Sequence, residues 1–216
     1  MSKTMLPPGF RVEICGAIGC GKSTLAEGLG KAGAESLLEK VDTHPYLTAF
    51  YAEPHKYAFE KNMFFLLDYI HQRKMYAAQD KTLALDHGVV INMVFHILDQ
   101  AKMTPEENMA LKEMTTHLLS QVDATTSLLV YLRCPTAEIL RRIAKRGRPF
   151  EAGISAAFLD TMVTCIERLL AFIPAQNLLI IDCDQYDVVD NPADEAAVIQ
   201  LIAAKLNALK AANARQ

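Results

Sequence analysis

Short apolar runs alternate along the chain with longer stretches in which apolar residues return every three or four positions. The runs at 11–15, 34–38, 82–86, 127–132 and 178–182 predict strands; the segments 22–31, 56–80, 88–100, 105–121, 135–146, 155–172 and 192–210 predict helices. Apolar strands separated by helices are what a parallel sheet covered on both faces requires. The expected architecture is α/β, a five-stranded parallel sheet flanked by helices, with residues 1–10 as an N-terminal tail and 11–216 as one domain. In such sheets chemistry sits beyond the carboxyl ends of the strands. That directs attention to 16–24, Glu39, Asp86-His87 and the stretch from Arg146 to Glu151.

The first of these segments is the most specific. Gly16-Ala17-Ile18-Gly19-Cys20-Gly21-Lys22-Ser23 is an unbroken G-x-x-x-x-G-K-[ST] loop, led into by Val12-Glu13-Ile14-Cys15 and followed, from Ser23-Thr24, by a helix-forming run. Its glycines let backbone N–H groups turn toward phosphate oxygens, and the helix N-terminus adds partial positive charge. Lys22 is expected on the terminal phosphates of a nucleoside triphosphate and Ser23 on Mg²⁺. Residues 16 to 24 together are therefore the predicted ATP site.

A second cationic element lies at 141–148, Arg-Arg-Ile-Ala-Lys-Arg-Gly-Arg. Arg142 and Arg146 share a helix face, Gly147 ends the helix and Arg148 follows it. By itself such a run is a solvated face. Beside a phosphate loop it predicts an Arg-rich lid over about 146–153, with three guanidinium groups converging on one anion.

Composition narrows the partners. Apolar residues make up 51% of the chain, enough for a full core without disulfides. The net charge of −3 offers no general basic field for nucleic acid, so no nucleic-acid partner is expected. No run reaches membrane-spanning length, and none is expected at a membrane. The five cysteines lack metal or disulfide spacing, which predicts free thiols and a cytoplasmic setting. Cys20 reads as steric filling within the loop, where its oxidation would block ATP. The histidines at 44, 55, 71, 96 and 117 read as surface or locally hydrogen-bonded residues.

These pieces, in this order, resemble the deoxynucleoside kinase family over about residues 11–200. The segment Leu38-Glu39-Lys40-Val41-Asp42-Thr43-His44-Pro45-Tyr46-Leu47 looks like the family's Glu-Pro-Val-x-x-Asn-Pro-Tyr-Leu, followed by Phe50-Tyr51-Ala52-Glu53-Pro54 and Phe64-Phe65-Leu66-Leu67. Arg142-Ile143-x-x-Arg146-Gly147-Arg148-x-x-Glu151 resembles its lid, and Asp182, Asp184, Tyr186 and Asn191-Pro192 its closing strand and loop. The resemblance implies a P-loop nucleoside kinase fold and transfer of the γ-phosphoryl group of ATP to the 5′-hydroxyl of a deoxynucleoside, a purine being favoured. It also implies Glu39 as general base, Asp86 as a Mg²⁺ ligand through water, and Tyr51 with Glu151 on the sugar 3′-hydroxyl. Arg142, Arg146 and Arg148 would stabilise the transferring group. Asn62 would stand where the family reads the base with Gln, and a homodimer would form through the helix at 88–100.

The departures matter as much. Asp86-His87-Gly88 replaces the family's Asp-Arg-Ser. A protonated His87 would restore part of the lost charge, with transfer weakening as pH rises and His87→Arg flattening that dependence; a structural His87 is the alternative. Tyr69 and Asn92 also occupy positions that differ in the family's base pocket, and Lys40 replaces the proline after the catalytic Glu. Two rivals follow: a nucleoside monophosphate kinase, which needs further cations at the acceptor, and a nucleotide-binding protein without catalysis.

Overall fold

The computed structural model describes residues 6–76, 80–121 and 127–214. Five strands, β1 (Arg11–Cys15), β2 (Glu35–Leu37), β3 (Leu83–Leu85), β4 (Leu128–Arg133) and β5 (Leu178–Asp182), form one sheet in the order β2-β3-β1-β4-β5. Every pairing is parallel, with Val12 opposite Ala84 on one side and Leu128 on the other. β3 is buried throughout and β4 over all but its last residue, as a sheet covered on both faces demands.

The helices are α1 (Lys22–Lys31), α2 (Leu47–Ala52), α3 (Pro54–Tyr76), α4 (Val89–Asp99), α5 (Pro105–Gln121), α6 (Thr136–Arg146), α7 (Ala156–Leu170) and α8 (Pro192–Asn213). α1 packs on α8, α4 on α7, and α3 on α4 and α5. Two ends follow directly from side chains: Ser155 Oγ accepts the Phe158 N–H at 3.2 Å, and Asn191 Oδ1 accepts that of Ala193 at 3.0 Å. Pro54 and Pro192 open their helices, where a missing N–H costs nothing.

The predicted strands stand where expected, shortened at β2 and β3. Helix α2 was not anticipated, and α3 begins at Pro54 rather than 56; the predicted stretch to residue 80 runs into 77–79, outside the described residues. The segment taken as a tail is packed from Pro7: Phe10 is buried, and its N–H donates to Thr82 Oγ1 at 3.2 Å. Among the described residues no helix is long and apolar enough to cross a membrane. All five cysteines are free.

The crossovers from β1 and β3 leave in opposite directions, so a crevice opens at the carboxyl ends of these two adjacent strands. The phosphate loop rises from β1, Asp86 from β3, and Glu39 from neighbouring β2.

Candidate active site

The loop between β1 and α1 owes its shape to left-handed backbone. Gly16 and Gly21 have φ of 153° and 106°, and a Cβ at Gly16 would lie 2.9 Å from the Leu132 carbonyl oxygen. Cys20 is buried beneath the loop, and burial raises its thiol pKa, so it fills space as an unreactive thiol. Lys22 Nζ donates across the loop to the carbonyls of Gly16 at 3.1 Å and Ala17 at 3.0 Å.

Asp86 joins the three strand ends. Its Oδ2 accepts the Ser23 hydroxyl at 2.5 Å, and its Oδ1 accepts the Glu39 backbone N–H at 2.6 Å. His87 Nδ1 lies 3.2 Å from the same Oδ1. Burial opposes the charge on Asp86, but the bonds from His87, Ser23 and Glu39 prevail and its pKa is lowered. Burial likewise disfavours the imidazolium of His87, yet the Asp86 bond and the carboxylates of Glu39 and Asp86 outweigh it and raise its pKa. Glu39 moves the other way. Burial raises its pKa, with Asp86 adding repulsion and His87, Lys22 and Lys61 opposing.

Ser23, Glu39 and Asp86 open into a cavity of about 990 Å³. Tyr51, Arg146, Arg148 and Glu151 line it too, so most of the predicted residues share one space. Tyr51 stacks on Phe150, ring centres 5.5 Å apart, and burial and the nearby Glu151 push its phenol up to about 12. A second, smaller cavity is bounded by Gly19, Gly21, Lys22, Ser23, Thr24, Arg142, Lys145 and Arg146.

Three expectations need correction. The three guanidinium groups do not share one cavity: Arg142 and Arg146 bound the smaller one, and Arg146 and Arg148 line the larger. Arg146 makes a two-toothed bond to Glu151, at 3.0 and 2.7 Å, and Arg148 lies 3.6 Å from the same carboxylate. Arg142 is buried, donating to the Cys20 carbonyl at 2.9 Å, Glu138 at 2.7 Å and Asp187 at 3.0 Å. It braces the phosphate loop at the edge of the smaller cavity. Asn62 does not line the large cavity. With its short side chain, its amide nitrogen bonds back to the Ala58 carbonyl at 2.8 Å and to Asp99 at 3.1 Å. Lys61, its neighbour, lines the wall instead. Nor does His87 line the cavity: it lies behind Asp86, edge-on to Tyr69, and its Nε2 meets no hydrogen-bond partner among the described residues.

The altered positions have structural partners. Lys40 ties the loop after β2 to Asp68 on α3 at 2.7 Å, a tether where the resembling motif has proline. The charge inside β1, Glu13, accepts from the Tyr69 hydroxyl at 2.7 Å, Arg73 at 3.3 Å and the Val89 N–H at 3.3 Å. A Cβ at Gly88 would collide with that carboxylate as it stands, so any side chain at 88 requires Glu13 to shift from its three donors. Three acids of the stretch 182–190 are paired at the surface: Asp182 with Arg133, Asp187 with Arg142, Asp190 with Arg141 and Lys145. His44, expected at the surface or in a local bond, is buried between Phe64 and Phe65; His55, His71 and His117 are exposed.

The model of the family described as Deoxynucleoside kinase matches residues 12–207. A deoxyguanosine kinase of Lactobacillus acidophilus is 31% identical over 209 residues, covering 90% of each chain. A deoxyguanosine kinase of Bacillus subtilis is 29% identical over 85% of this chain and 91% of its own. Among solved structures, deoxyadenosine kinase from M. mycoides with bound dATP superposes with a TM-score of 0.74 at 21% identity, over 92% of this chain and all of that one.

Proposed function

The chain belongs to the deoxynucleoside kinase family and phosphorylates a deoxynucleoside, and from that premise we propose that its cavity transfers the γ-phosphoryl group of ATP to the 5′-hydroxyl of a purine deoxynucleoside. The observation that carries the reading is the Asp86 junction, which brings the phosphate-loop hydroxyl of Ser23 and the backbone of Glu39 onto one carboxylate at the mouth of one cavity.

The loop amides and Lys22 receive the ATP phosphates, Lys22 exchanging the Gly16 and Ala17 carbonyls for phosphate oxygens. Ser23 and Asp86 are hard oxygen donors in mutual contact, and Asp86 is held as the anion, so the pair fits Mg²⁺. When bound, that ion neutralises charge developing between the phosphates. Glu39 accepts the 5′-hydroxyl proton; its raised pKa brings it nearer the working range of a general base. Tyr51 and Glu151 hold the sugar 3′-hydroxyl. Arg146, now on Glu151, and Arg148, now on Asp42 at 3.0 Å, form the lid face that swings to the transferring group, with Gly147 as the break after α6. His87 positions Asp86 from behind rather than touching the acceptor.

A homodimer through α4 is part of the same reading, supported by Met93, Ile97 and Phe172 exposed beside the α4–α7 contact. The free thiols support a cytoplasmic setting.

The test is transfer from Mg·ATP to deoxynucleosides, ribonucleosides and nucleoside monophosphates, repeated with Glu39→Gln. We expect transfer to a purine deoxynucleoside, with kcat lowered about 10²- to 10⁴-fold in the variant while ATP binding persists. Native turnover in Glu39→Gln would remove the base from Glu39. Transfer confined to monophosphates would remove the acceptor class.

A further inference from the structure

The wall of the large cavity carries a cation that this chemistry does not use. Lys61 on α3 and Asp99 at the end of α4 are both buried, form an ion pair and line the cavity. Asp99 is largely committed to the protein, with three of its roughly four acceptor sites taken. Its Oδ2 accepts from Lys61 and from Asn62 at 3.1 Å, and its Oδ1 from Lys102 at 2.5 Å. Lys61 is in the opposite state. An ammonium has three donors, and among the described residues Asp99 is the acceptor that Nζ reaches.

The surroundings of Nζ leave its other donors with aromatic faces alone. It lies 4.5 Å from the ring centre of Phe50 and 4.7 Å from that of Phe95, and both rings line the cavity. The wall therefore presents a fixed hydrogen-bond donor inside an aromatic slot. Its remaining donors meet no oxygen or nitrogen acceptor among the described residues, so an acceptor atom from a ligand is the missing partner. Glu39 and Lys22 line the same cavity as Lys61, Phe50 and Phe95. An acceptor with its 5′-hydroxyl at Glu39, facing Lys22, extends its base toward Phe50 and Phe95.

Base edges differ in what they offer a donor. Guanine and hypoxanthine present O6 and N7 side by side as acceptors, the pair that a lysine grips best. Adenine keeps N7 but carries an amino group in place of O6, which sets donor against donor; cytosine carries an amino group in the same sense. We propose that Lys61, oriented by Asp99, reads the O6/N7 edge of a 6-oxopurine, so that deoxyguanosine and deoxyinosine are the preferred acceptors. This rests on the kinase reading above and assigns specificity within it. Asp99 is a positioning residue.

The native enzyme decides the matter without any variant. kcat/KM is measured with Mg·ATP for deoxyguanosine, deoxyinosine, deoxyadenosine, deoxycytidine and thymidine. Deoxyguanosine and deoxyinosine are expected to agree within a few-fold and to exceed deoxyadenosine by about 5- to 150-fold, the range for one well-placed bidentate base contact. Deoxyadenosine or a pyrimidine in first place leaves the kinase reading intact and overturns this one. So does a preference for deoxyguanosine that deoxyinosine does not share, because recognition would then lie at the 2-amino group. Absence of transfer to every deoxynucleoside defeats both readings. Lys61→Met supplies the residue assignment: the deoxyguanosine-to-deoxyadenosine ratio falls toward one, chiefly through KM for deoxyguanosine, and Lys61→Arg retains it. A Lys61→Met protein that loses all acceptors equally and keeps the ratio shows a merely structural lysine and refutes the assignment.

Discussion

His44 makes stability depend on acid in a way that is calculable from its contacts. Its Nδ1 accepts the Tyr46 N–H at 3.1 Å, which leaves Nε2 as the protonated nitrogen, 3.3 Å from the Lys61 carbonyl. Phe64 and Phe65 cover the ring at 4.4 and 4.2 Å between centres. A second proton on Nδ1 would confront the Tyr46 N–H donor with another donor inside an apolar pocket. Burial accordingly lowers the pKa from the ordinary 6.5 to about 4. In the unfolded chain His44 binds its proton near 6.5, so between these values the unfolded state holds more protons. Stability is then complete above pH 7 and falls as pH drops from about 6.5 toward 4. The shift is worth about 3 kcal/mol at pH 4. His44→Gln keeps a donor for the Lys61 carbonyl and removes the titration. Urea unfolding of both proteins at pH 7, 6, 5 and 4 isolates the difference, since the remaining carboxylates are common to both. The native protein should lose about 3 kcal/mol more than the variant over that span. Parallel curves would refute the neutral, buried imidazole.

Arg142→Met should act on the loop rather than on transfer. It leaves the Cys20 carbonyl without its donor, at a cost of about 1–3 kcal/mol, and raises KM for ATP, whereas Arg146→Met lowers kcat; melting curves and steady-state kinetics separate the two, and a kcat effect alone for Arg142→Met would return it to the lid. Gly88→Ala should cost at least about 1–3 kcal/mol by driving a methyl group into the Glu13 carboxylate, read as a lower unfolding midpoint; an unchanged midpoint would mean that the carboxylate moves aside freely.

The fold was legible because each strand is an apolar run wedged between turns and helices, and the loop at 16–23 carries its own geometry in its glycines. Helix α2 was not, since six residues are too few for a period to emerge and Pro54 separates them from α3. The site was legible where local order suffices: Lys22, Ser23, Glu39 and Asp86 each follow a strand end. It failed where long-range pairing decides. Lys61 and Asp99 are 38 residues apart, and nothing near either one marks the other. Asn62 stands at a position where the resembling motif has Gln, but the shorter amide reaches its own helix instead. Arg142 and Arg146 share a face of α6, yet Asp187 and the Cys20 carbonyl claim one and Glu151 the other. Glu13 did leave a mark: a lone acid within a buried strand must find donors, and Tyr69, Arg73 and Val89 are those donors.

The fit of Glu13 against Gly88 also constrains the order in which this sequence can change. A serine at 88, as in the motif it resembles, has no room while the carboxylate stands there. Removing Glu13 first strands the guanidinium of Arg73, which is buried and has an unpaired nitrogen already. Either single step is expected to lower stability, and the changes at 13 and 88 to be non-additive. Placing a serine at 88 by design therefore begins at Glu13 inside β1, not at 88.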